Sequence, residues 1–211
     1  MSEKFFDVYI DFGSSKIIAT AFNKKNKKSF SVSNKCFSSF KSTQLNFKDS
    51  KIVLEKLILE IEKKTGEYLN SINLMIDSPE VLSIGVSLSK KNDGKKIRKS
   101  DIQYLIQDAK QQVIKFHPNK NIIHIIVSNY KVDNNNFDYP PIDVECNFFV
   151  IDIIFICYPK ELIKNLESLF YENQININQV LSSSYAKSLN CKEQYINFFD
   201  KIVFLDVGYE K

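Results

Sequence analysis

Apolar residues recur along this chain with two different periods, and each change of period marks an element. Val8 and Ile10 alternate with polar neighbours over residues 5–10, a strand pattern. Ile17-Ile18-Ala19-Thr20-Ala21-Phe22 within 16–22, and then 29–36, read as two more strands. Joined by the charged turn Lys24-Lys25-Asn26-Lys27-Lys28, they predict an antiparallel meander. A helix follows from about Ser50 to Lys64, with Val53, Leu57 and Ile61 at i, i+4 and i+8 on one face. Gly66 stands where glycine ends helices, and 71–76 returns to a strand.

At Ser78-Pro79 the texture changes. A strand is predicted over 81–89, followed by a turn at Asp93-Gly94. A helix then begins with Ser100 as N-cap and Gln103 completing a capping box. Its buried face is Ile102, Leu105, Ile106, Ala109 and Val113, and Pro118 ends it. Strands follow at 121–130 and, after Pro140-Pro141, at about 142–157. The stretch 80–157 therefore reads as a strand-helix-strand-strand insert with its own core. Pro159 opens a helix whose Leu162, Leu166 and Leu169 point inward. A brief strand at 175–177, a helix at about 179–190 and a last strand at 202–206 complete the pattern.

Two of these strands end alike. Asp11-Phe12-Gly13-Ser14-Ser15-Lys16 follows the first, and Asp206-Val207-Gly208 follows the last. A carboxylate at a strand end beside a glycine-permitted turn suits a magnesium ion held through water. Backbone N–H groups, the Ser14 and Ser15 hydroxyls and the Lys16 ammonium suit phosphate oxygens. The first turn leads into another strand, so it is a hairpin and not a strand-to-helix phosphate loop. Neither G-x-x-x-x-G-K-[ST] nor G-x-G-x-x-G occurs.

Composition narrows the partners. Of 211 residues, 44% are hydrophobic and 26% charged, which suits globular domains with real cores. A net charge of +4 permits an anionic partner without demanding one. The lysine-rich turns at 24–28 and 90–99 lack interleaved aromatics for base stacking and read as solvated hairpin ends, so nucleic acid is not an expected partner. Cys36, Cys146, Cys157 and Cys191 form no C-x-x-C pair and read as reduced thiols. His117 and His124 read as structural, with no metal cluster around them. The chain opens on Ser2-Glu3-Lys4 without a signal-peptide pattern, and the apolar run Phe148–Tyr158 is far short of the ~20 residues a membrane span needs.

The order of elements and the motif Asp11-Phe12-Gly13-Ser14-Ser15-Lys16 resemble the actin and heat-shock-chaperone ATPase superfamily. Within it, the insert at 80–157 and Gln179-Val180-Leu181-Ser182-Ser183-Ser184 are similar to the bacterial cell-division FtsA family, whose connecting helix carries Gln-Pro-Leu-Ala-Ser-Ala. The resemblance implies an α/β, actin-like (ribonuclease H-like) first lobe. Its base subdomain would comprise 1–79 and 158–200, the insert 80–157, and a truncated second lobe would start at 201–211. It implies ATP and magnesium as cofactors, with Asp11 orienting the ion and Gly13, Ser14, Ser15, Lys16, Asp206 and Gly208 at the phosphates. Gln179 would position water; an amide is a poor base, so hydrolysis would be slow at most.

The resemblance further implies FtsZ and later division proteins as partners, self-association into filaments, and attachment to the membrane through a C-terminal helix absent from this chain. The expected location is the cytoplasmic face of the membrane at the division septum. A pilus-assembly ATPase of the PilM kind is the alternative, and a sugar kinase lacks its expected carboxylate cluster. The departures are Tyr209-Glu210-Lys211 in place of Gly-Gly-Thr, which would weaken phosphate contact, and Val180 in place of proline. With half the cleft missing, ATP binding by this lobe alone would be weak.

Overall fold

A computed structural model describes residues 5–13, 15–35, 40–41, 44–45, 47–195 and 203–206. In chain order the elements begin β1 (Phe6–Phe12), β2 (Lys16–Asn23), β3 (Ser29–Lys35), β4 (Phe40–Lys41), β5 (Gln44–Leu45), α1 (Phe47–Thr65) and β6 (Ser71–Ile76). They continue with β7 (Leu82–Lys91), α2 (Lys99–Phe116), β8 (Lys120–Val132), β9 (Asn135–Phe137) and β10 (Phe148–Pro159). The last are α3 (Lys160–Tyr171), β11 (Asn176–Ser182) and α4 (Ser183–Tyr195). They form two compact units, Met1–Glu80 with Glu161–Lys211, and Val81–Lys160.

The first unit is built on a five-stranded sheet in the order β11-β6-β1-β2-β3. β1, β2 and β3 are the antiparallel meander, while β6 runs parallel to β1 and β11 parallel to β6. Strand alternation decides which face is dry. Val8, Ile10 and Phe12 of β1, Ile17, Ala19 and Ala21 of β2, and Ile72, Leu74 and Ile76 of β6 are all buried. Helix α1 lies over β2 and β3, with Leu54, Leu57, Ile58 and Ile61 buried. Its stripe is therefore i, i+3, i+4, i+7, and Val53, expected on it, is only half-buried. In helix α3 the buried residues are Leu162, Ile163, Leu166, Leu169 and Phe170, and Lys51 of α1 pairs at 2.7 Å with Glu172, the residue that follows α3. Gly66 ends α1 at φ +71°, where its N–H donates to the Glu62 carbonyl at 2.8 Å.

In the second unit the strand-helix-strand-strand pattern folds as an antiparallel sheet, β7-β10-β8-β9, with α2 across one face. Phe149, Ile151, Ile153, Phe155 and Cys157 alternate inward along β10 against Ile102, Leu105, Ala109 and Val113 of α2. Fully burying each large apolar side chain contributes about 1.5–3 kcal/mol. Asp93 and Gly94, at φ +51° and +74°, form the expected two-residue turn, closed by the Lys95 N–H on the Asn92 carbonyl at 3.0 Å.

Several expected boundaries move. The N-cap of α2 is Arg98, not Ser100, because the capping carboxylate is Asp101, which accepts the Arg98 N–H at 2.9 Å and also pairs with Lys90. The strand expected from 142 starts at Phe148, and residue 145 makes only an isolated bridge with Lys96. The brief strand at 175–177 extends to Ser182 because β6 takes up its backbone hydrogen bonds, so α4 begins only at Ser183. Residues 203–206 carry no strand pairing, with Val203 and Leu205 exposed. An apolar run becomes a strand only where a neighbour shares its ladder, and none lies alongside among the described residues.

Candidate functional site

The three parallel strands of the first unit end together. One row of the sheet contains Phe12, Ile76 and Ser182, so Asp11, Asp77 and Ser183 meet at the carboxyl edge, the usual ligand edge of an open parallel sheet. Helix α4 starts at that edge and is tied to it. Its Ser184 donates from the backbone N–H to Asp77 Oδ2 at 3.1 Å and from the hydroxyl to the same oxygen at 2.7 Å. Asp77 thus caps α4 from a neighbouring strand, a favourable place for a negative charge. The Ser183 hydroxyl donates to Asp11 Oδ1 at 2.7 Å.

One turn along α4, Lys187 reaches back between two carboxylates. Its Nζ lies 3.7 Å from Asp11 Oδ2 and 3.3 Å from Asp206 Oδ2. Ser184 Oγ is 3.5 Å from the same Asp206 oxygen. Burial pulls the Lys187 ammonium down, but Asp11, Asp206 and Asp77 together outweigh it and hold its pKa above the ordinary lysine value. Asp11 and Asp206, from opposite ends of the sequence, therefore face one group.

The expected phosphate turn is the β1–β2 hairpin. The Gly13 N–H donates to the Lys16 carbonyl at 3.1 Å, and a Cβ on Gly13 would meet that oxygen at 2.9 Å, so the tight turn requires glycine. Ser15 and Lys16 are exposed at the hairpin end. Ser14 and Gly208 lie outside the described residues. Gln179 is in strand β11 and exposed, not on a connecting helix. It shares a row with Asn73 and Tyr9, on the Asp11 face but two rows earlier, about 6–7 Å along the strands. Asp77 and Lys187 were not among the expected site residues. Asp77 follows an alternating strand as Asp11 does, which was its signal; nothing local marks Lys187.

The donors suit a hard cation. Three carboxylates and two serine hydroxyls supply only oxygen. Among the described residues no three His, Cys, Asp or Glu side chains converge so as to hold one ion directly. The other candidate groups lie in the insert. Burial raises the thiol pKa of the core residues Cys146 and Cys157 and lowers the imidazole pKa of the half-buried His124, in each case favouring the neutral form. Cys146, Cys157 and Cys191 are free thiols, and Cys36 lies outside the described residues. No helix among the described residues is long and apolar enough to cross a membrane.

Residues 80–156 match the family described as the SHS2 domain inserted in FtsA. No curated protein matches the sequence. Among solved structures, the chain is similar to one described as the PilM-PilN type IV pilus biogenesis complex, at 8% identity and a TM-score of 0.55 over 90% of this chain and 51% of that one. A Bacteroides thetaiotaomicron protein described as having an actin-like ATPase fold and unknown function is 14% identical over 90% of this chain and 57% of that one. Its TM-score, 0.40, is too low to bear on the fold. The chain thus spans about half the length of the solved structures it matches. The chain has an actin-like fold, and its residues 80–156 form an SHS2 domain of the kind inserted in FtsA.

Proposed function

We propose that this lobe is the first half of an actin-like cell-division protein, which binds Mg-ATP and links the FtsZ ring to the cytoplasmic face of the membrane at the septum. The carrying observation is the pairing of an FtsA-type SHS2 domain with the convergence of Asp11 and Asp206 on one ammonium-sized position. In this reading Asp11 and Asp206 hold water molecules around magnesium, which when bound offsets the triphosphate charge. The Ser15 hydroxyl, the Lys16 ammonium and the turn at Gly13, together with Ser14 and Gly208, take phosphate oxygens. The Gln179 amide orients water without accepting its proton, so turnover is slow or nil. Self-association into filaments, recruitment of later division proteins and a membrane-binding helix beyond this chain complete the assignment.

A second reading rests on the fold likeness to the PilM-PilN complex, namely an actin-like scaffold for pilus assembly. A fluorescent fusion of the protein containing this chain, imaged with and without depletion of FtsZ, separates the two. A septal band that disperses on FtsZ depletion is expected. A distribution indifferent to FtsZ, with co-purification of a PilN-like partner, would overturn the division reading in favour of the second.

A further inference from the structure

The geometry points to Lys187 as a built-in cation of the cleft, bridging Asp11 and Asp206 in the position the magnesium reading requires for the ion, so that ammonium and divalent ion exclude one another. This rests on the proposed reading of those two carboxylates. Three observations carry it.

First, Lys187 Nζ is within 3.7 Å of Asp11 Oδ2 and 3.3 Å of Asp206 Oδ2. Ser183 occupies the remaining Asp11 oxygen, Oδ1, at 2.7 Å. An ion entering between the two carboxylates would stand beside a like charge, and the lysine must swing out to admit it. Second, among the described residues no strand pairs with 203–206, Val203 and Leu205 are exposed, and the side-chain bonds of Asp206 to Lys187 and Ser184 tie this segment to α4. Third, Lys187 is on α4, the same helix that Asp77 caps through Ser184 and that Ser183 joins to Asp11. Displacing the ammonium therefore breaks a direct link between α4 and Asp206, while an ion shared by the two carboxylates would join Asp206 to Asp11 and so, through Ser183, to α4. The consequence is a two-position device. Without divalent ion the lysine holds the edge together; with it, the lysine is released toward the exposed side, where nearly half of its side-chain surface already lies (44%).

The test uses the 211-residue chain, hydrogen exchange by mass spectrometry, and Mn²⁺ as the probe ion. In EDTA, Lys187→Met should exchange several-fold faster than wild type in peptides covering 183–195 and 203–206, while Lys187→Arg retains wild-type protection. Adding Mn²⁺ should restore protection in Lys187→Met, and the Asp206→Asn double variant should not respond. Unchanged protection of Lys187→Met in EDTA overturns the lysine bridge and leaves the magnesium reading standing. Faster exchange that Mn²⁺ does not restore overturns the shared position, and with it the reading of Asp11 and Asp206 as an ion site. If Lys187→Met does not fold, Lys187→Gln, which keeps length and a hydrogen-bonding end, is read in the same way.

Discussion

Replacing Asp77 with alanine removes an acceptor that serves three donors at the start of α4. Two of the bonds are good, from the Ser184 N–H at 3.1 Å and the Ser184 hydroxyl at 2.7 Å; the Ser182 hydroxyl at 3.4 Å is too long to add much. A hydrogen bond to a charged acceptor is worth about 1.5–3 kcal/mol, and a helix cap about 0.5–2 kcal/mol. Because Asp77 is half-buried, water replaces part of what is lost, and about 2 kcal/mol remains for opening α4. At ~1.4 kcal/mol per tenfold, this is roughly a 30-fold rise in exchange of the α4 amides. Hydrogen exchange of peptides from 183–195 reads it directly, with peptides from 81–160 as the internal control. Asp77→Asn keeps an oxygen but not the charge and should lose about half as much. If Asp77→Ala leaves α4 exchange at the wild-type rate, the capping role drawn here is wrong.

Leu57→Ala opens a cavity beneath α1, where Leu57 is fully buried, and should cost about 2–5 kcal/mol in urea unfolding followed by circular dichroism; a loss below that range would show that α1 does not seal the sheet. Residues 81–160 expressed alone should melt cooperatively, since α2 and β10 share one continuous core; a broad, non-cooperative transition would contradict that. Burial lowers the His124 pKa from 6.5, so the folded insert resists protonation. Stability from this source is present above pH 6.5 and is lost as pH falls through that value toward the folded pKa. His124→Gln should flatten the slope of stability between pH 7.5 and 5.5 (a range of about two units around the free imidazole value), and an unchanged slope would assign it elsewhere.

Local chemistry made much of the fold legible. Asp93-Gly94 and Gly66 require positive φ, and both turns fall where those residues stand. The alternation of β1 and four of the five expected residues of the α2 face, all but the half-buried Ile106, correspond to buried residues because each element has a single dry side. What escaped depends on partners distant in sequence. Gln179 to Ser182 reads as the start of a helix, yet β6, about a hundred residues earlier, draws it into the sheet by parallel pairing. The run 203–206 has strand composition, but among the described residues no strand pairs with it. Asp77 was hidden by the boundary drawn at Ser78-Pro79, and Lys187 by its position on an otherwise polar helix. The repeated Asp-x-Gly singles out Asp11 and Asp206, which both lie near Lys187, although 203–206 is not the strand the repeat predicted.

The central claim is that Asp11 and Asp206 form one site for a magnesium-bound nucleotide. Calorimetric titration of Mg-ATP into the complete gene product containing this chain, against Asp11→Ala and Asp206→Asn variants, tests it most directly. The account predicts magnesium-dependent binding that Asp11→Ala abolishes and Asp206→Asn weakens. Undiminished affinity in both variants would contradict it.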